Sequence, residues 1–378
     1  IKGPQSALFG RNTFAGAINY VTKDPSSEFG GDISVLAATR DEYRASATIE
    51  GPIIGDVLSG RLTGSYDFNG GHYDNAANPG QELGEEETWA ITGTLLYEPS
   101  DKFRVKLRGN YYEDDDGPAA AIATHGIVDH NFGCFPIVGG SADLTAPYAG
   151  PPTIAELTAG TRTESVYAGT IVAPDAAAIR LNTGQALLNT LKSTLPATVA
   201  PLSFELADFD RFGLQREAYR ISLSSSYDIT DRITFSMLSG YNEESWGLIR
   251  DFTQVGAPGF IATTFTDIRD YSIEGRFSGT ALDDRLNWSL GGNYIDIKIE
   301  EQTATYDDLL GFWFSSGSIF NGTTITGAKT YGIFGTLDYA LTDRLNIAFE
   351  GRYQSDQISD NTVGNISPGT FNKFLPRV

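Results

Sequence analysis

One cysteine, one methionine and three histidines are all that this 378-residue chain contains of those types. A single thiol cannot form an internal disulfide, so a disulfide-stapled secreted domain is excluded. His125, His130 and Cys134 stand close together in sequence. No C-x-x-C or H-E-x-x-H spacing accompanies them, and no metal site is predicted. Cys134 is either a plain solvated residue or the partner of a cysteine outside this chain. Positive charge is also scarce. Lys and Arg number 27 against 48 Asp and Glu, a net charge of -21, which argues against nucleic acid, whose phosphates need a basic face. The acidic runs Glu85-Glu86-Glu87 and Glu113-Asp114-Asp115-Asp116 read as solvated surface, or as ligands for a divalent cation or a cationic solute. No apolar run reaches the ~18 residues of a transmembrane helix. Nucleophile, phosphate-cradling and dinucleotide motifs are missing too, so neither an enzyme nor a cofactor is expected. Ile1-Lys2-Gly3-Pro4 lacks a signal-peptide core, and the start reads as an internal position.

What is present in quantity is Gly (42), Phe (22) and Tyr (18), arranged with period two. From Phe103 one face reads Phe103, Val105, Leu107, Gly109, Tyr111, and the other Arg104, Lys106, Arg108, Asn110, Tyr112. The same alternation runs from Tyr219, Leu286 and Leu345, and again from Tyr43, Leu58, Trp89, Ile233, Tyr271 and Tyr331. Period two with one apolar face specifies β-strands that cover that face. A soluble sandwich would alternate likewise, so strand length and turns must discriminate. These strands run nine or more residues, beyond the usual five or six. Short connections join them at one end, as at Asp228–Arg232, Leu282–Arg285 and Leu341–Arg344, and long ones at the other, at 70–86, about 115–212, 247–258 and 301–328. Tyr97, Tyr227 and Tyr339 precede short turns, whereas Tyr111, Tyr241, Tyr294 and Tyr353 approach the long loops. Short turns on one rim, long loops on the other and two tyrosine rows match an outer-membrane β-barrel, all-β and antiparallel. About eleven strands are counted, with Phe371 to Val378 starting another. A bacterial barrel needs an even number, so a larger barrel is expected, of which this chain is a piece. Arg104, Lys106, Arg108, Glu50, Glu274 and Glu350 then face the lumen.

Residues 1–25 contain G-P-x-S-x-L-x-G, then G-x-I-N, then V-T-K-x-P, carried by Gly3, Pro4, Ser6, Leu8, Gly10, Gly16, Ile18, Asn19, Val21, Thr22, Lys23 and Pro25. This segment resembles the end of the plug domain of TonB-dependent receptors. The resemblance implies residues 1–27 as the end of a plug and 28–378 as the first part of a barrel of 22 strands, in the outer membrane of a Gram-negative bacterium. It further implies energy-coupled uptake of a scarce small extracellular ligand, foremost a ferric siderophore, with a vitamin or oligosaccharide as other cargoes. The implied partners are outer-membrane lipid and a TonB-type coupling protein acting through an N-terminal box outside this chain. A passive porin or a structural, adhesive barrel is the competing reading, against which residues 1–25 speak.

The resemblance also places Lys2 and Arg11 on the plug side of ion pairs with the barrel wall, where Glu50, Glu274 and Glu350 are candidate partners. The alternative is that Lys2 and Arg11 only decorate a wet interface. Ligand contacts are expected among the loop aromatics Phe132, Phe135, Trp246, Phe312, Trp313 and Phe314, whose flat faces either stack on a ligand or pack the loops together. Residues 180–195 carry a short helical pattern.

Overall fold

A computed structural model describes residues 21–74, 82–120, 123–126, 166–169, 192–193, 203–204, 206–251, 260–307, 312–314, 324–342, 344–360 and 369–377. Fifteen strands lie among them. The first five are β1 (Gly30–Ala38), β2 (Glu42–Ile54), β3 (Leu58–Asp74), β4 (Glu82–Ser100) and β5 (Phe103–Asp116). Two short ones, β6 (Ala123–Gly126) and β7 (Val166–Gly169), pair only with each other. The series resumes with β8 (Gly213–Thr230), β9 (Ile233–Asp251), β10 (Phe260–Ala281) and β11 (Leu286–Asp307). It continues through the short β12 (Phe312–Phe314) to β13 (Thr324–Thr342), β14 (Leu345–Asp360) and β15 (Gly369–Arg377). Twelve strands pair antiparallel in chain order, β1-β2-β3-β4-β5-β8-β9-β10-β11-β13-β14-β15, while β12 folds back on β11. This is the all-β antiparallel architecture expected, and β15 is the further strand foreseen after the first eleven. Of the pattern at 180–195, only Lys192 and Ser193 are described, and both are helical.

The strands are longer than the alternation indicated. β10 and β11 each run 22 residues, and β4, β9 and β13 each run 19. In the stretches read as loops at 70–86, 247–258 and 301–328, every described residue is therefore strand, at 70–74, 82–86, 247–251, 301–307, 312–314 and 324–328, whereas the long connection near 115–212 is bounded as expected, by Asp116 and Gly213.

The cause is an inversion of faces. Up to its tyrosine, β11 turns Trp288, Leu290 and Tyr294 outward and Ser289, Gly291 and Asn293 inward. Beyond Tyr294 the outward positions are Asp296, Lys298 and Glu300, and the inward ones are Ile295, Ile297 and Ile299. β9 and β10 switch in the same way, with Glu243 and Arg269 outward and Trp246 and Ile268 inward. The switch coincides with rings that touch from strand to strand: Trp89, Tyr111 and Tyr219 at centroid distances of 5.1 and 4.5 Å, and Tyr271, Tyr294 and Tyr331 at 6.5 and 4.9 Å. A second row near the short turns joins Tyr97, Phe103 and Tyr227 at 6.3 and 6.1 Å. Eight steps from Phe103 to Tyr111 measure about 26 Å along the strand, or about 20 Å at the usual barrel tilt, comparable to an apolar belt of about 25 Å.

Between the rows the outward residues are greasy and uncovered by protein. Leu95 is 42% exposed, Leu290 56% and Ile333 63%. In water each would forgo about 1.5–3 kcal/mol of burial, which hydrocarbon tails supply. Above the upper row that covering changes to protein. Leu206, Phe209 and Phe212, from the segment that re-enters β8, bury against Ile249, Ile261 and Phe265. Phe209 sits over Gly247, where an added Cβ would lie 2.6 Å from the ring. Arg211 fixes the same segment by ion pairs to Glu85 and Asp115. It enters β8 at Gly213, whose φ of 140° and contact with the Asp116 carbonyl leave no room for a side chain.

The two faces predict opposite tolerances. Leu107→Arg, between the rows and facing out, should destabilise the refolded protein in lipid vesicles by about 2–4 kcal/mol. Thr92→Lys, which points inward, should cost far less in the same urea titration. Equal costs would mean that lipid does not cover the outer face.

Candidate functional site in the barrel lumen

The inward residues of the lower half line a concavity of about 690 Å³, edged by Arg104 and Lys106 on one side and by Glu274, Arg276, Asp338 and Glu350 on the other, with Ser224, Ser226, Ser236, Ser278 and Ser289 between. Beside it lies the extended segment Val21–Pro25, which carries no regular structure of its own. Its side chains alternate as an extended chain must, and the alternation divides them between two walls. Thr22 and Asp24 meet β5. Lys106 Nζ donates to the Thr22 carbonyl at 2.9 Å and to Thr22 Oγ1 at 2.8 Å, and lies 2.9 Å from Asp24 Oδ1. Arg104 Nη2 donates to Asp24 Oδ2 at 2.5 Å, while Arg104 Nε lies 3.0 Å from Glu98. Lys23 turns the other way and donates to Glu50 of β2 at 2.6 Å, the carboxylate that Arg61 of β3 also binds at 2.9 Å. Three consecutive residues are thus stapled to two strands, β5 and β2.

Burial matters here, because exposed ion pairs contribute little. Glu50 and Lys106 have side chains only 10% and 14% exposed, whereas Lys23 and Asp24 are 64% and 46% exposed. Glu50 and Lys106 are the fixed, partly desolvated halves of their pairs, whereas Arg104, 41% exposed, is nearly as open as Asp24. Burial alone would raise the Asp24 carboxyl, but the bonds from Lys106 and Arg104 outweigh it and hold it below its ordinary range.

Higher up, where β5, β8 and β9 rise past the tyrosine row, the inner wall carries a second cluster. The Tyr112 ring lies between two guanidinium groups, Arg216 at 5.4 Å and Arg220 at 5.0 Å. Arg216 Nε donates to Asp114 at 2.6 Å, and Thr88 donates to the same carboxylate at 2.6 Å. Arg220 donates to Glu244 at 2.9 Å and to Asn242 at 3.0 Å, and Tyr112 Oη donates to Glu244 at 3.2 Å. Asp116, at the top of β5, is pushed up to about 6, chiefly by burial and then by Asp114 and Glu86, against the Glu87 N–H that donates to it. Its negative charge therefore develops only as the pH rises through that value.

A similar stack lies on β10, β13 and β14. Phe334 has Arg276 at 5.2 Å and Arg352 at 5.5 Å. Arg352 is 2% exposed and donates to Asn293 and to Gln354, each at 2.8 Å. The route to Asn293 passes over Gly332, where an added Cβ would lie 2.4 Å from both groups.

The sequence-derived candidates fall in different places. Glu50 is in the staple, bound by Lys23 and Arg61. Glu274 binds Arg276 of its own strand at 2.7 Å, and Glu350 lines the concavity. Lys2 and Arg11 lie outside the described residues, as do Phe132, Phe135 and Cys134. Trp246 is not a loop residue: it stands in β9, half-buried on the inner face opposite Arg216. Phe312, Trp313 and Phe314 form β12, paired with Thr305, Tyr306 and Asp307. Sequence reasoning missed Lys23, Asp24 and the arginine stacks. For the first two the signal was the opposed charges in the V-T-K-D-P run; for the stacks none exists without the register.

The staple can be tested directly. With Cys134 replaced by Ser and a nitroxide at Val21→Cys, Asp24→Asn should convert an immobile spectrum into a mobile one at neutral pH. The parent should stay immobile until the pH falls below the ordinary carboxylate range, because a lowered acid keeps its pairing down to its folded-state value. An unchanged spectrum in the Asn variant would show that the ion pairs do not hold the segment.

No family model matches the chain. It is 34% identical over 84 residues to the pesticin receptor of Yersinia pestis, an alignment covering 22% of this chain and 12% of that protein. A probable TonB-dependent siderophore receptor of Acinetobacter baumannii is 27% identical over 135 residues, covering 30% of this chain and 17% of that one. Among solved structures, the ferric yersiniabactin uptake receptor from Yersinia pestis superposes with a TM-score of 0.64 at 18% identity, covering 99% of this chain and 47% of that one. The ferripyoverdine receptor of Pseudomonas aeruginosa gives 0.60 at 13% identity, covering 99% and 43%. This chain shares the fold of solved outer-membrane receptors and is similar in sequence to a probable TonB-dependent siderophore receptor, and it spans just under half the length of the solved receptors it matches.

Proposed function

We propose that the whole protein imports a ferric siderophore across the outer membrane of a Gram-negative bacterium, driven by a TonB-type coupling protein that engages an N-terminal box outside this chain. The observation that carries the reading is the staple. A stretch of chain is fastened inside the lumen by Lys106, Arg104 and Glu50, which a passive pore does not need and a gated one does. The similarity to a ferrioxamine B receptor of Salmonella typhimurium, 22% identical over 118 residues, supports iron as the cargo, as do the likenesses to the ferric yersiniabactin and ferripyoverdine receptors. On this reading residues 1–27 are the end of the gate, and Lys2 and Arg11 contribute to its contact with the wall. The protein makes and breaks no covalent bond: it is a transporter, not an enzyme.

Deleting the gene should abolish growth of its host under iron starvation on at least one ferric siderophore while leaving growth on free iron intact. Collapse of the proton-motive force should stop uptake of that siderophore and leave its binding at the cell surface unchanged. Undiminished iron-limited growth, together with passive permeation of small sugars through the purified protein, would replace the reading with a porin.

A further inference from the structure

On the outside of the wall, just above the upper ring row, runs a narrow band that lies beyond the apolar belt and is not covered by protein. Its lower edge is the row Tyr271, Tyr294 and Tyr331. Its upper edge is Asp267, to whose carboxylate Ser203 donates through both its N–H and its hydroxyl. Within the band stand Arg269 of β10, Lys298 of β11 and Lys329 of β13, with side chains 60%, 47% and 52% exposed. The register sets Arg269 directly opposite Lys298. Like charges so placed, with Cβ atoms about 5 Å apart, destabilise a sheet. Lys329 pairs with Asp296 and is therefore diagonal to Lys298.

The neighbouring carboxylates are set back. Glu243, Glu300 and Asp296 pair with Arg269, Lys298 and Lys329 at 3.3, 2.7 and 3.4 Å. Each acid is the less exposed partner, at 41%, 29% and 35%. Glu243 and Asp296 are also bonded by the hydroxyls of Tyr241 and Tyr294, at the membrane edge. The outermost charge of the band is thus positive, although its sum is not.

A second observation lies beneath it, on the lipid side of β11, β13 and β14. A groove of about 750 Å³ runs there, with the directly paired Gly335 and Gly351 as its floor and Leu290, Ile333, Leu337 and Phe349 among its sides. Down β13 the outward positions are Lys329, Tyr331, Ile333 and Gly335, so the groove leads up to the cations. Charge above and an apolar trough below describe an amphiphile standing against the wall.

We propose that this face binds one lipid of the outer leaflet, with two phosphates on its headgroup and an acyl chain lying over Gly335 and Gly351. One phosphate sits between Arg269 and Lys298 and relieves their repulsion, gripped by the guanidinium fork and by the ammonium point charge. The second meets Lys329, whose diagonal place, about 7–8 Å from Lys298, is too far for the same phosphate to bridge closely. The site is on the outside of the barrel and is independent of the cargo carried within.

The test uses the full-length receptor, delipidated in detergent with EDTA present. It is titrated with bisphosphorylated lipid A, monophosphorylated lipid A and phosphatidylglycerol. Native mass spectrometry counts the bound lipid, and heat-modifiable gel mobility reports that each variant is folded. The bisphosphorylated lipid should bind as a single copy, at least tenfold more tightly than phosphatidylglycerol. Lys298→Gln and Arg269→Gln should each weaken it roughly tenfold, as for loss of one charge-assisted contact, whereas Lys298→Arg should retain binding. Lys329→Gln should remove the preference for two phosphates over one. Lys102→Gln, at the opposite rim, should change nothing. Equal affinity for the three lipids, or full binding by folded Lys298→Gln and Arg269→Gln, would overturn the site. Binding lost in EDTA and recovered with magnesium would hand the lipid to the carboxylates through a divalent cation, and would overturn the role of the three cations. No ferric chelate enters the experiment, so any of these failures leaves the uptake reading standing.

Discussion

The boundary between hydrocarbon and water is the constraint on which this structure depends. An open twelve-stranded sheet with its greasy residues turned outward has no stable form in water, because those side chains would lack any covering. Given a bilayer, the same sheet satisfies its inner strands: backbone groups pair laterally, apolar side chains meet lipid, and polar ones meet the lumen, while among the described residues β1 and β15 each pair on one side alone. Where the bilayer ends, the rule for each side chain reverses within one residue step, and β11 records this most plainly in the run from Tyr294 to Glu300. The tyrosines mark the edge because their rings suit the apolar side and their hydroxyls the wet one. Tyr241 and Tyr294 each donate to an acid two residues further on, Glu243 and Asp296.

The functional features follow from the same reversal. Below the boundary the lumen wall is free to hold charge, so Arg104, Lys106 and Glu50 can staple an extended segment without any cost at the outer face. Above it the outer face must be polar or covered by protein. It is both: Glu243 and Arg269 pair at 3.3 Å, and Phe209 packs into the space over Gly247. The inner face is then released from wetness alone and takes up Trp246 and the isoleucines. The ion-paired segment low in the lumen and the arginine cluster beside Trp246 higher up are two consequences of strands crossing one interface.

Much of this was legible in the sequence, for reasons specific to particular residues. Phe103 to Tyr112 alternates so strictly that both faces of β5 can be named without coordinates, and Asp228–Arg232 can be nothing but a short turn. The end of each strand was not legible. Ile295, Ile297 and Ile299 continue a period of two with its phase exchanged, and a reader who expects one greasy face sees the pattern stop and calls the rest a loop. Trp246 was assigned to a loop for that reason. The staple was half legible: Glu50, Arg104 and Lys106 were recognised as inward, but Lys23 and Asp24 were read only as part of a family pattern. The Tyr112 and Phe334 stacks depend on which residue of one strand faces which of the next, and register is set by the whole sheet.

The claim that the faces exchange at the tyrosine row is tested most directly by nitroxide scanning of β11 in lipid vesicles, one position at a time from Trp288 to Glu300. Collisions with oxygen, which concentrates in hydrocarbon, should exceed those with a water-soluble nickel chelate at positions 288, 290 and 292. The order should reverse at positions 296, 298 and 300, with the crossover at 294. Oxygen-rich outward positions persisting to 300, or water-accessible ones beginning at 288, would contradict the account.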